Sequence, residues 1–351
     1  MIRKYFIGSF IITLIGLLGA AGVGWIYTHT LTGLLSALMI ASILALLEIS
    51  LSFDNAIVNA VVLRDMTPVW RHRFLTWGML IAVFGMRLVF PLLIVMVVAS
   101  ISPWEALKMA AMFPDQYAGL MLKSHTEVSA FGGSFLMMVA LKFFYDINKH
   151  EHWIPWLEKP AVLMGRINAI EVGITLFFLI IISRTISADH QLTYIYAGIT
   201  GILIFLAVDG LGNWLEQSGG PTKSAQRASA GLFLYLEVLD ASFSFDGVVG
   251  AFAITHNLFI IMIGLSIGAF FVRSLTIMFV EQQTLARFLY LEHGAFYAIG
   301  ALAIIMISDP VLHIPEWFTG VVGAGIIVLA VYWSLKKNPK GLSGTLKSES
   351  H

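Results

Sequence analysis

Long apolar runs separated by short polar breaks fill nearly the whole chain. Ten stretches stand out, at about residues 5–27, 31–63, 74–100, 129–147, 169–187, 191–215, 229–256, 258–282, 288–308 and 316–335. Uninterrupted apolar runs of this length are the signature of membrane-spanning helices. The pattern therefore predicts an all-α, polytopic transmembrane helical bundle of about ten spans. The first run follows Met1-Ile2-Arg3-Lys4 and is too long for a signal-peptide core. It is read as a retained helix. Residues 101–128 mix apolar and charged positions with Pro103 and Pro114, which predicts an external loop carrying an interfacial helix. The polar stretch 336–351, with its Gly and Ser, is expected to be a disordered cytoplasmic tail.

Beneath this pattern lies a repeat. Leu47-Glu48-Ile49-Ser50-Leu51-Ser52-Phe53-Asp54 aligns without a gap to Leu239-Asp240-Ala241-Ser242-Phe243-Ser244-Phe245-Asp246, with five of eight residues identical. Gly78 to Arg87 parallels Gly264 to Arg273, and Gly133 to Leu141 parallels Gly294 to Leu302. Segments two, three and four thus correspond to seven, eight and nine. An offset of five is odd, so the halves, 1–190 and 191–335, are expected to lie in opposite orientations. Inverted repeats of this kind build many secondary transporters.

Composition sharpens the class. Hydrophobic residues make up 58% of the chain and charged residues 12%, about half the charged fraction of soluble domains. The formal net charge is zero, which gives no reason to expect nucleic acid as a partner. Cysteine is absent, so disulfides, thiolate metal sites and cysteine nucleophiles are excluded. Lys and Arg accumulate on cytoplasmic loops. With the N-terminus inside, 15 of the 21 basic residues face the cytoplasm, among them Arg64, Arg71, Arg73, Lys159, Arg166, Lys336 and Lys337. Both termini are accordingly expected in the cytoplasm, in an inner membrane.

The repeated motif carries the candidate chemistry. A straight helix over segment two would be about 50 Å long against a hydrocarbon core of about 30 Å. Ser50, Ser52, Asp54 and Asn55 sit in its middle, and such side chains compete for backbone hydrogen bonds. Broken motif helices are therefore expected. Glu237 and Asp240 share a helix face, as do Ser50 and Asp54, whereas Glu48 and Asp54 diverge by about 120° unless the helix unwinds. Carboxylates at membrane depth cost at least about 2.5 kcal/mol each and are rarely incidental. Glu48, Asp54, Glu237, Asp240 and Asp246, joined by the Asn55 amide, form an oxygen-rich ligand set. Arg87 and Arg273 would balance two of the charges or gate the path, with Ser50, Ser52, Ser242 and Ser244 beside them. Oxygen ligands suit Mn²⁺, Mg²⁺ or Ca²⁺ better than copper or zinc. Crowded carboxylates raise one another's pKa values, so metal binding would displace protons. Glu171, Asp209 and Asn213 are read as interfacial, Lys142 as reaching the cytoplasmic surface, and His256 and His293 as packing or solvated groups.

These residues resemble the motifs of the TerC-like family of integral membrane proteins. Glu48 followed by Asp54-Asn55-Ala56 is similar to its first-half motif. Glu237-Val238-Leu239-Asp240 with Ser244-Phe245-Asp246 is similar to its second. Similar blocks run from about residue 45 to 305. Gly247 and the loop at 101–128 depart from the pattern. The resemblance implies metal-ion handling, manganese efflux in particular, with names rooted in tellurite resistance. The expected function is export of a divalent metal ion, Mn²⁺ foremost, in exchange for protons, with membrane lipid as the surrounding partner and no resident cofactor. Export of an organic solute or amino acid, and assembly of other membrane proteins, are the alternatives. No enzyme is expected, because neither a Gly-x-Ser-x-Gly elbow nor a His-Glu-x-x-His helix occurs. The sequence assigns no oligomeric state.

Overall fold

The computed structural model describes residues 2–78, 80–149, 151–217, 221–282, 288–312 and 314–337. Among them, every regular element is helical. In chain order these are α1 (Ile2–Thr28), α2 (Leu31–Leu51), α3 (Phe53–Asp65), α4 (Pro68–Arg73), π-helical turns at Phe74–Gly78 and Ile81–Val89, and α5 (Phe90–Ala99). There follow α6 (Pro103–Met112), α7 (Pro114–Lys123), α8 (His125–Phe144), α9 (Pro155–Met164) and α10 (Ile170–Ser183). The chain closes with α11 (Ala188–Gln217), α12 (Pro221–Ile254), α13 (Leu258–Glu281), α14 (Leu291–Leu312) and α15 (Glu316–Lys337). Helix starts follow ordinary capping rules. Thr30 accepts from Gly33 N, Asn257 from Phe259 and Ile260 N, and Ser102 with Glu105 forms a reciprocal capping box.

Eight described helical stretches are long and apolar enough to cross a membrane: Lys4–Thr28, Leu31–Leu51, Pro68–Ala99, His125–Phe144, Ala188–Leu215, Leu258–Glu281, Leu291–Leu312 and Phe318–Lys337. The chain is therefore a multi-pass membrane protein. Two of the ten expected segments fall short of that standard. Helix α10 has only 14 residues, about 21 Å at 1.5 Å per residue. Helix α12 has 34 residues but carries Glu237 at its midpoint and Asp240 and Asp246 beyond it.

Close approaches fix helix directions. Helices α1 and α2 form an antiparallel hairpin, with Gly24 against Gly33 and Ala37. Helix α13 runs antiparallel to α1, pairing Lys4 with Glu281 and Ser9 with Ser274, yet parallel to α2, where Gly264 meets Leu44 and Gly268 meets Glu48. Helix α8 is antiparallel to α14 (Gly133 on Met306 and Ile307, Gly300 on Ala140) and parallel to α11 (Glu127 with Thr193, Lys142 with Asp209). Helices α11 and α12 meet antiparallel at Gly212 and Gly231, and α15 lies antiparallel to α14 and parallel to α2–α3. The helix ends fall into two layers. Arg64–Glu292, Lys337–Glu151 and Lys4–Glu281 pairs mark one end. His256–Asp115, His125–Asp309 and His190–Glu127 pairs mark the other.

The main apolar core lies between α3, α8, α11, α12 and α14, around Ile57, Phe135, Leu136, Met138, Leu236 and Ile299. The buried Tyr194 hydroxyl donates to the Ile307 carbonyl at 2.6 Å. Residues 101–128 form two ten-residue helices rather than the single interfacial helix expected, and Ala106, Ala110, Tyr117 and Met121 bury against Val95 and Phe252. Residues 338–351 of the expected tail lie outside the described residues.

Candidate functional site

The first repeat of the motif is interrupted once. Ser52 separates α2 from α3, with φ −98° and ψ 18°. The Asn55 N–H, third in the new helix, finds its acceptor in the Asp54 carboxylate at 3.0 Å. Asp54 thus supplies what the preceding helix turn does not, the competition with the backbone that such residues exert. The second repeat differs from expectation. Helix α12 is unbroken from Pro221 to Ile254. Ser242, the counterpart of Ser50, donates back to the Val238 carbonyl. Asp240, the counterpart of Glu48, is engaged by a side chain on another helix.

Two polar cavities adjoin at the break. The first, about 50 Å³, is walled by Glu48, Ser52, Asn55 and Asn59 of α2–α3, Asp240 and Ser244 of α12, Arg87, and Arg273 with Thr276 of α13. The second, about 40 Å³, is walled by Glu48, Ser52, Asp54 and Asn55, with Gly247 of α12, Ala298 and Leu302 of α14, and Thr319, Gly320 and Gly323 of α15. Phe74, Leu75 and Thr276 place the first cavity toward the end marked by Lys4–Glu281. Gly320 packs on Leu51 and Gly323 on Asp54, so the second cavity lies level with the break, on its α14–α15 side. Glu48, Ser52 and Asn55 line both, so they form the partition.

Glu48 and Arg87 form a buried ion pair across this partition. The π-helical turns at Ile81–Val89 bring Arg87 there, and wide turns of this type recur at functional sites. The guanidinium also donates to the Ala82 carbonyl at 2.6 Å, while its buried Nε finds no acceptor among the described residues. Asp240 accepts from Asn59 Nδ2 at 2.9 Å. Asn59 escaped the sequence reading, although its place four residues after Asn55 puts it on the same helix face. The polar wall contributed by α15 left no comparable signal.

Other expected members stand apart. Glu237 is buried but lines neither cavity, and its Oε1, without a hydrogen-bond partner among the described residues, packs where a Cβ at Gly78 would sit. Ser50 is exposed and donates to the Leu46 carbonyl, so it leaves the site. Arg273 donates to the Leu75 carbonyl at 2.7 Å and pairs with no carboxylate among the described residues. The Asp246 side chain lies outside the described residues. Among those described, no three His, Asp or Glu side chains converge as a metal cluster.

A second polar cluster closes the end marked by Arg64–Glu292. Glu158, fully buried, accepts from the Trp153 and Ile154 N–H groups at 3.2 Å and from Tyr297 at 3.1 Å. Its other oxygen lies 3.1 Å from Lys149 Nζ and 3.5 Å from ring nitrogens of His152 and His293. Burial alone would raise the Glu158 carboxyl, but the Ile154 N–H and the positive charge of Lys149 outweigh it and hold the group below the usual range. Burial lowers Lys149. The cluster ties α9 to α14 and touches neither cavity.

Residues 53–341 match the family described as "Protein of unknown function (DUF475)". The chain belongs to that family. The match begins one residue past the α2–α3 break, so it covers Asp54, Asn55, Arg87, Asp240 and Arg273 and leaves out Glu48. No curated protein and no solved structure matches the chain.

Proposed function

We propose that this DUF475 protein is a secondary transporter exporting a divalent metal ion, Mn²⁺ foremost, in exchange for protons. The observation that carries the reading is the pair of polar cavities that adjoin at Glu48, Ser52 and Asn55 in the middle of a membrane bundle. Alternating access needs two half-paths and a thin partition between them. Oxygen groups on the partition and in the first cavity suit a hard cation, with Ca²⁺ and Mg²⁺ as the next candidates. The resemblance to TerC-like proteins points the same way.

Helix directions support the ten-span, inverted-repeat reading. Every pair fixed by a close approach agrees with strict alternation of ten segments once α10 and α12 are counted. Helix α13 runs parallel to α2–α3 and α14 antiparallel to α8, as an odd offset of five requires. The excess of Lys and Arg at the Arg64–Lys337 end supports both termini in the cytoplasm of an inner membrane.

Arg87 and Arg273 in the same wall as Glu48 and Asp240 favour one competing reading, export of a small zwitterionic solute such as an amino acid. Size argues against it. At about 10–15 Å³ per water, 50 Å³ holds about four waters, room for a partly hydrated ion and little more. The test is Mn²⁺ uptake into inside-out vesicles, at several pH values, for wild type, Asp54→Asn and Asp240→Asn. Loss of uptake in both variants, with normal membrane insertion, is expected. Wild-type rates in both would move the site elsewhere. Uptake blocked by excess amino acid rather than Mg²⁺ would favour the zwitterion.

A further inference from the structure

We infer that Arg87 is a resident cation of the transport site: its guanidinium occupies Glu48 when no metal is bound, and the metal ion must displace it. The inference rests on the transporter reading and adds the step by which that site is emptied and filled.

Glu48 lines both cavities, so an ion crossing the partition must pass its carboxylate. In this structure that carboxylate is engaged by Arg87. Arg87 holds Oε1 of that carboxylate, and a divalent ion that reaches Glu48 competes with the guanidinium for its charge, since like charges repel strongly at low dielectric. The backbone of α2 is not free to carry Glu48 away, since Gly268 packs against its Cβ and Cγ and Gly264 against Leu44. The mobile partner is therefore the arginine. Its hold is partial: Nη2 meets Glu48 and Nη1 meets Ala82, but Nε is buried without an acceptor among the described residues. A second carboxylate, Asp240, lines the same cavity and has its Oδ1 engaged by the neutral Asn59 amide. Arg87 can exchange Glu48 for Asp240 without leaving the cavity or entering lipid.

An unpaired carboxylate buried at this depth is strongly unfavourable. A tethered arginine pairs with it and weakens metal binding enough for release. Arg87 is thereby a competitor of the substrate built into the chain, and its removal should tighten metal binding while slowing turnover.

The experiment uses the purified full-length protein in detergent, with free Mn²⁺ measured by electron paramagnetic resonance at fixed pH. Wild type, Arg87→Gln and Arg87→Lys are compared, each with and without Glu48→Gln. Arg87→Gln is expected to bind Mn²⁺ at least tenfold more tightly, and Arg87→Lys to stay within about threefold of wild type. Glu48→Gln should abolish the gain. Apo Arg87→Gln should melt at lower temperature than wild type, and Mn²⁺ should raise its melting temperature more than it raises the wild type's, as selective binding to the folded state requires. This readout serves even where the apo variant is fragile. Equal or weaker Mn²⁺ binding by a folded Arg87→Gln variant, with wild type binding normally, would overturn the role of Arg87 and leave the transporter reading intact. No Mn²⁺ binding by wild type and Arg87→Gln alike, up to millimolar metal, would overturn the metal reading and this inference together.

Discussion

The close contact of α2 with α13 offers the sharpest test of how the site is held. A Cβ added at Gly268 would lie 2.5 Å from Glu48 Cγ and 2.9 Å from the Ala45 carbonyl oxygen. Carbon atoms at rest stand about 3.5–4.0 Å apart, so Gly268→Ala must push the helices apart by about 1 Å at the level of Glu48. Overpacking of this kind costs about 1–3 kcal/mol, offset in part by about 1 kcal/mol of helix propensity. Gly22 is the control. It lies in α1 with nothing within 4 Å of its would-be Cβ, so Gly22→Ala keeps only the propensity gain. Melting of the two variants in detergent, followed by tryptophan fluorescence, separates the effects. Gly268→Ala should melt below Gly22→Ala, and its Mn²⁺ uptake should fall at least tenfold because Glu48 leaves the partition. A Gly268→Ala variant that melts with the control and transports like wild type would show that the Gly264–Gly268 contact does not position Glu48.

Glu158→Gln should destabilise the protein by about 3–5 kcal/mol, the usual cost of orphaning one member of a buried ion pair. The Glu158→Gln/Lys149→Met double variant should recover most of that loss, and a double variant as unstable as the single would refute the pairing. Because the fold depresses Glu158, its contribution is present above the ordinary carboxyl pKa of 4.5 and is lost as pH falls through the lower folded value. An acid unfolding midpoint that Glu158→Gln leaves unchanged would contradict this. For topology, cysteines introduced at the exposed His72 and Gln116 should react with impermeant reagent from opposite sides of the membrane, the native chain having none. Labelling of both from one side would undo the alternation of spans.

How far the sequence could be read depended on whether a feature is written in spacing or in geometry. Hydrophobic run length located most of the long helices to within a few residues, because length and apolarity are one-dimensional properties, but it missed the polar first turns of α12 and the short α9. It did not separate α4, the π-helical turns and α5, since extra residues per turn change the winding and not the composition. The repeat brought Glu48, Asp240 and Arg87 to attention, and the structure places these three around one cavity. Convergence of all five carboxylates was expected, and the described residues do not show it. Glu237 and Asp240 share a helix face by spacing, yet the neighbouring Gly78 draws Glu237 out of the cavity wall, and that neighbour is set by tertiary packing. The break was legible in the first motif because Asp54 can turn back to the next N–H. The second motif has the same serines and aspartate, yet α12 continues through it, so the motif by itself does not dictate a break.

The continuity of α12 bears on how the chain enters a membrane at all. Three carboxylates in one helix would cost about 8–10 kcal/mol at bilayer depth if that helix inserted alone. Helix α11 is apolar enough to cross by itself, with Asp189 and Asp209 lying toward its ends. The two meet antiparallel, backbone against backbone, at Gly212 and Gly231, so α12 can partition as the second arm of a hairpin whose first arm bears the hydrophobic load. Biogenesis of the second half then has an order, with α11 in place before α12 leaves the insertion machinery. A bulky residue at Gly231 would be felt first as a defect in insertion, before any transport is measured.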